Sequence, residues 1–506
     1  MASIIKNNPS NDLKGDSIRG GFYTFVSQGT KFLVNIASTM ILARLLLPSD
    51  FGLIAMVTSF TGFFALLTDA SLSIATIQRP DITHSQISAL FWINVLLSII
   101  LTIAMCALGP LIAWLYGQTQ LVGITVALSF TFIMTGLTIQ HQALLQRNMR
   151  FKILAGIDII SLICGNAFAI VLAQYDCGYW SLLGGTFVTT IVNCSLAWAY
   201  SGWRPGPPNF QESIRPMLCF GGTLTGFNIL TYLVRNSDNV IIGYTNGDLA
   251  LGIYSKAYNL LMMPVRQFAT PVGNVLLPTL SALQNDPVRF QNVYLKAIGM
   301  LALVGMSLVA YLFVVANEAV LIVLGPNWMS AADVFRWLAP AAWIGVLNVA
   351  PMCLCNSLGK AKIPLVWAAV ATPLQIIAML LGSLWGATGV AAALSITTCP
   401  LILIFIAIAC IGSPVSFKQV VAWLAPICIA SSGSSCLVLI LIWFSGLSNA
   451  TILVRIFLYS AAYWLLYFLI LSAFRQGRVQ IHSFIHDGVL TLLYKKNGFA
   501  ASRRTL

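Results

Sequence analysis

Nine ionisable residues lie inside stretches that are otherwise apolar: Lys31, Asp69, Asp158, Arg235, Asp238, Lys256, Arg266, Asp333 and Arg336. Four of them fall within residues 231–266, TYLVRNSDNVIIGYTNGDLALGIYSKAYNLLMMPVR, which reads as two apolar helices joined by a polar turn at residues 244–248. A charge in a lipid-embedded helix costs several kcal/mol and faces a partner or a cavity. Cations at several depths suit an anionic solute, above all a phosphate, which arginine binds through paired, directed hydrogen bonds. A path lined by carboxylates would instead suit a cationic drug. The candidate substrate-binding cations are Lys31, Arg235, Lys256 and Arg266; Asp69, Asp158 and Asp238 are candidates to titrate or to bind a coupling cation, a proton or sodium.

Each site also has a bland reading. Arg235 and Asp238 are three apart and share a helix face, so they read as a self-contained ion pair, a coupling site, or both. Asp333 and Arg336 have the same spacing near a helix end and read as structural. Asp158 lies ~8 Å from the near interface at 1.5 Å per residue and could reach water there. Lys256 and Arg266 are long enough to snorkel. Lys31 has no carboxylate close in sequence and comes out ~15 Å into its helix, which favours a functional role.

The elements that position these residues follow from composition. The chain has 506 residues, 58% hydrophobic and only 8% charged, with a mean hydropathy of +0.87. Soluble domains carry about 25% charged residues, so this is a polytopic membrane protein. The net charge of +13 is dispersed in short clusters between apolar runs, which argues against nucleic acid as a partner. The eleven cysteines sit mainly in apolar runs, and the one Cys-x-Cys pair, Cys353 and Cys355, has no second pair to complete a metal site. His482 and His486 are four apart without a third ligand and read as an exposed pair. No metal, no cofactor and no removable signal peptide are expected.

A span needs about 20 mainly apolar residues. Spans are expected near 21–44, 51–75, 86–115, 121–142, 153–174, 179–200, 217–243, 250–279, 294–316, 328–357, 363–384, 387–411, 419–444 and 450–473. Most of the 27 Lys and Arg residues fall in alternate connections and both tails, which by the positive-inside rule puts both termini in the cytoplasm. A shift of 200 residues aligns Phe51-Gly52-Leu53 with Leu251-Gly252-Ile253, and a shift of 210 aligns Arg150 and Lys152 with Lys360 and Lys362. The expected organisation is therefore an N-terminal lobe (1–200), a proline-rich cytoplasmic connector (201–216), and a C-terminal lobe (217–412) as a parallel repeat of the first. Two extra helices (413–474) and an amphipathic cytoplasmic tail (475–506) follow. No connection is long enough to fold as a catalytic domain, so the chain is not expected to be an enzyme. No Gly-x-x-x-x-Gly-Lys-Ser/Thr loop for ATP is present.

Arg235-Asn236-Ser237-Asp238-Asn239, Leu251-Gly252-Ile253-Tyr254-Ser255-Lys256, Leu42-Ala43-Arg44-Leu45-Leu46 with Pro48-Ser49-Asp50-Phe51-Gly52, and Leu324-Gly325-Pro326-Asn327-Trp328 resemble the Wzx-like polysaccharide transport family. That family is the colanic-acid-exporter-like branch of the multidrug/oligosaccharidyl-lipid/polysaccharide exporter superfamily. The resemblance spans roughly residues 15 to 475. It implies an all-α protein of about fourteen transmembrane helices, with two six-helix lobes around a central cavity plus two extra helices. It further implies a flippase moving undecaprenyl-pyrophosphate-linked oligosaccharide across a bacterial plasma membrane by alternating access, with Lys31, Arg235, Lys256 and Arg266 receiving the pyrophosphate. Membrane lipids, a polysaccharide polymerase and a chain-length regulator are the implied partners. An ion-coupled multidrug exporter, a flippase for the peptidoglycan precursor and a membrane enzyme of polysaccharide assembly are the alternatives.

Overall fold

The computed structural model describes residues 13–69, 72–79, 82–207, 215–360, 362–445 and 451–483. These are helical almost throughout, in the order α1 (Leu13–Leu45), α2 (Pro48–Asp69), α3 (Leu72–Gln78), α4 (His84–Tyr116), α5 (Gln120–Arg147), α6 (Phe151–Gln174), α7 (Tyr179–Ser201) and α8 (Arg215–Ala282). There follow α9 (Pro287–Leu301), α10 (Ser307–Val314), α11 (Ala316–Val323), α12 (Ser330–Gly345), α13 (Val349–Ser357), α14 (Lys362–Gly382), α15 (Gly386–Cys410), α16 (Phe417–Ser445) and α17 (Ile452–Ala473). Among the described residues, ten helical stretches are long and apolar enough to cross a membrane, and one of them, Lys362–Cys410, holds both α14 and α15. With α1 and the two arms of α8, the long apolar helices among the described residues make fourteen passes, as the hydropathy pattern predicts. Exposed Trp114, Leu384, Trp385, Trp443 and Phe444 belong to the apolar outer surface that lipid requires.

Backbone chemistry sets where these helices start and stop. Thr83 and Gln86 open α4 with a reciprocal cap: the Gln86 amide donates to Thr83 Oγ1 at 3.1 Å and the Thr83 amide to Gln86 Oε1 at 3.2 Å. In α8 the expected five-residue turn narrows to one residue, Gly247, whose φ of 81° interrupts a helix continuous on either side. Only glycine adopts that backbone without strain. Within the spans, serine and threonine hydroxyls turn back onto their own helix, as Thr30 does to the Val26 carbonyl and Ser59 to that of Ala55. In lipid this satisfies those hydroxyls within their own helix.

By contacts the chain divides into two units, one comprising residues 1–255 with 322–328 and the other 256–321 with 329–506. In the first, α4 packs on α5 and α6 on α7, while α1 lies against α6. Its core at one end gathers Phe91, His141, Trp198 and Trp203, with the His141 ring 4.4 Å from Trp198 and 5.1 Å from Trp203. His141 Nδ1 and Ser201 Oγ, 2.8 Å apart, fasten the start of the connector to α5.

In the second unit, residues 302–306 form a π-helical segment between α9 and α10. A π segment displaces carbonyls from the regular ladder, and here two find partners on α17. The Tyr463 hydroxyl donates to the Ser307 carbonyl at 2.8 Å and that of Tyr467 to the Leu303 carbonyl at 3.2 Å. Tyr311 and Ser460 pair at 2.7 Å, and Arg455 meets buried Glu318 at 3.5 Å. The last of the expected extra helices is thus tied along its length by polar contacts. Tyr463→Phe removes one of them and leaves a buried carbonyl short of a donor; about 1 kcal/mol of stability should be lost, read as a lower thermal midpoint of the purified protein. The tail is helical from Arg475 to Ser483, and its continuation from 484 lies outside the described residues.

Candidate functional site

The sequence left Lys31 without a carboxylate; the fold supplies one. Lys31 on α1 forms an ion pair with Asp158 on α6, 127 residues away in sequence. A substrate-binding candidate and a coupling candidate are therefore one unit. Both side chains stay partly open, Lys31 26% and Asp158 35% exposed. Behind Asp158 a polar chain crosses three helices. Ser161 Oγ donates to the Asp158 carbonyl at 3.1 Å, Asn193 Nδ2 on α7 donates to Ser161 Oγ at 3.4 Å, and Gln142 Nε2 on α5 donates to Asn193 Oδ1 at 2.8 Å. The chain fixes the turn of α6 that carries the carboxylate.

Asp238, on the first arm of α8, is buried, and both its oxygens are engaged. The Tyr254 hydroxyl donates to Oδ2 at 2.9 Å and the Asn239 amide to Oδ1 at 2.8 Å. The side chain of Arg235 lies outside the described residues, so the expected pairing of Arg235 with Asp238 does too. Tyr254 was missed by sequence reasoning. Its signal was its place one helical hairpin on, in an otherwise apolar run. Asp69 ends α2, where both its oxygens accept from Ser73, Oδ1 from the amide at 3.0 Å and Oδ2 from the hydroxyl at 2.5 Å. That geometry holds the junction between α2 and α3.

In the second unit, Lys256 is half-buried, and exposed Arg266 places its guanidinium 5.9 Å from the Tyr258 ring centroid. Such a cation over an aromatic face keeps its charge available to an anion. Asp333 and Arg336 form the expected pair, 3.9 Å apart, with Asp333 exposed and Arg336 half-buried. Among the described residues no cluster of three His, Cys, Asp or Glu is placed to hold a metal.

Several of the quoted sequence motifs meet at one end of the first unit. Trp328, fully buried, donates its indole N–H to the Ala43 carbonyl at 2.8 Å and meets Phe51 edge-on at 5.4 Å. Arg44 donates to the Ile322 carbonyl at 2.9 Å. Beside them, the start of α2 and the start of the second arm of α8 cross backbone to backbone. A Cβ on Gly52 would collide with the Asp248 carbonyl, and one on Gly252 with the Pro48 carbonyl. Each contact is the other shifted by 200 residues, so the crossing has the local two-fold character of a self-complementary contact.

The fold defines a class, the multi-pass helical membrane proteins. A lipid II flippase, MurJ, in an inward closed conformation superposes with a TM-score of 0.71 at 13% identity, covering 91% of this chain and all of that one. An inward-facing MATE multidrug resistance transporter of the MOP superfamily superposes at 0.63, also 13% identical, over 77% of this chain and 95% of the other. The family model described as "Polysaccharide biosynthesis protein" matches residues 41–333, more than half the chain, and the protein belongs to that family. Among curated relatives, the lipopolysaccharide biosynthesis protein WzxC of Escherichia coli (strain K12) is 25% identical over 64% of this chain and 67% of its own length. The teichuronic acid biosynthesis protein TuaB of Bacillus subtilis (strain 168) is 26% identical over 69% and 72%. The succinoglycan biosynthesis transport protein ExoT of Rhizobium meliloti (strain 1021) is 25% identical over 63% and 64%.

Proposed function

We propose that the protein is a flippase that carries a lipid-linked oligosaccharide, a polysaccharide repeat unit on undecaprenyl pyrophosphate, across the bacterial plasma membrane by alternating access. The observation that carries this reading is membership of the polysaccharide biosynthesis family across residues 41–333, on a fold shared with a lipid II flippase. Relatives named for lipopolysaccharide, teichuronic acid and succinoglycan differ in glycan, which supports recognition of something other than the glycan, and we take this to be the lipid pyrophosphate. The positive-inside pattern supports cytoplasmic termini, and the reciprocal crossing at Gly52 and Gly252 supports the repeat division into 1–200 and 217–412. Lys31, Lys256 and Arg266, with Arg235, are the residues we assign to the pyrophosphate. A polymerase and a chain-length regulator would then receive the product on the outer face.

Deleting the gene in its source bacterium should cause one lipid-linked oligosaccharide to accumulate on the inner leaflet and surface polysaccharide to fall. Re-expression of wild type should restore export; Lys31→Gln should restore about one tenth of it or less, the scale expected when one charge-assisted contact to the cargo is lost. Drug sensitivity with no accumulated lipid-linked glycan would overturn the assignment.

A further inference from the structure

The ion pair of Lys31 and Asp158 holds together the two kinds of residue a coupled transporter needs, a cation for an anionic cargo and a carboxylate that can titrate. We propose that this pair is an exchange site: the lipid pyrophosphate displaces Asp158 from Lys31, and the freed carboxylate takes up one proton from water, so that cargo binding and proton binding are one event. The inference rests on the pyrophosphate reading above and deepens it.

Three features carry it. First, the pair spans two helices that are distant in sequence, and both side chains are partly exposed, so an incoming anion can reach the lysine. Second, the two partners differ in freedom. The lysine sits on a flexible four-carbon stem, whereas the α6 turn bearing Asp158 is pinned through Ser161, Asn193 and Gln142. The lysine can therefore turn to a ligand while the carboxylate stays. Third, no other described charge stands ready to compensate Asp158. On α1, Lys31 is the only charged residue between Arg19 and Arg44; on α6 the only other one is Lys152, six residues back and exposed; α7 has none. On α5, Arg147 is committed to the carbonyls of Thr76 and Arg79, and His141 to Ser201. A pyrophosphate carries more negative charge than a carboxylate and wins the lysine. The carboxylate then loses its counter-ion and gains an anionic neighbour, and both changes favour its neutral form.

The test is isothermal titration of the full-length protein in nanodiscs with farnesyl pyrophosphate as the probe. It is run near pH 6.5 in two buffers of different ionisation enthalpy, which yields protons taken up per ligand bound. The probe's own titration is common to all proteins, so the difference between wild type and Asp158→Asn is the readout. Wild type should take up more protons per ligand than Asp158→Asn, and Asp158→Asn should bind about tenfold tighter because the competing anion is gone. Asp158→Ser gives the same comparison should the asparagine variant not fold. Equal proton counts, or sodium-dependent binding without a proton difference, would overturn the exchange alone. Failure of wild type to bind the probe at all would overturn the pyrophosphate reading and the exchange with it.

Discussion

Valine in place of Gly52 should abolish polysaccharide export while the protein still reaches the membrane. The added Cβ would occupy the position of the Asp248 carbonyl, and the obstacle is backbone, which no rotamer change can move aside. The start of α2 and the second arm of α8 would have to separate, a displacement that overpacked helix contacts resist at a cost of about 1–3 kcal/mol. The neighbouring contacts of Trp328 with Ala43 and of Phe51 with Trp328 would be strained by the same shift. Complementation of a deletion strain, with immunoblotting of the membrane fraction, measures both effects. Gly252→Val should do the same through Pro48. The double variant should be less harmful than the sum of the two, because both act on one crossing. Full export by Gly52→Val would mean that the close approach is dispensable.

The second large effect is expected at Glu318. This buried carboxylate meets Arg455, and Arg455 is itself only 24% exposed. Glu318→Ala leaves that guanidinium without its partner in a poorly hydrated site, and removing one member of a buried pair costs about 3 kcal/mol or more. The thermal midpoint of the purified protein should drop by several degrees, and Glu318→Ala combined with Arg455→Leu should recover most of the loss. An unchanged midpoint for Glu318→Ala would show the pair to contribute nothing.

The transmembrane plan was legible in the sequence because the bilayer imposes one length on every pass. The expected span of 153–174 and the observed α6, or 450–473 and α17, differ by only a residue or two at either end. Gly247 was legible as a break because its neighbours Asn246 and Asp248 are turn formers. Partners across the fold were not. Local spacing points Asp238 toward Arg235, whose side chain lies outside the described residues; its hydroxyl donor, Tyr254, lies 16 residues on, beyond the reach of any local spacing rule. Lys31 looked unpaired because its carboxylate is on the fifth pass, and nothing in an apolar periodicity says which helices touch. Asp69 reads from its position as a coupling candidate, and Ser73 four residues on is equally the signature of a local cap. The tyrosines at 459, 463 and 467 repeat every four residues, a stripe that marks one face of α17 for burial without telling against what.

The π-helical segment at 302–306 has a consequence for how the protein is made. The Leu303 carbonyl within it and the Ser307 carbonyl just after it receive hydroxyl donors from residues synthesised 164 and 156 positions later. During translation the α9–α10 pass therefore enters the bilayer with those acceptors lacking their tyrosines, and the second unit cannot close until α17 has left the ribosome. Chains stopped before Ile452 should be recognised as incomplete by membrane proteases, whatever the integrity of the first unit.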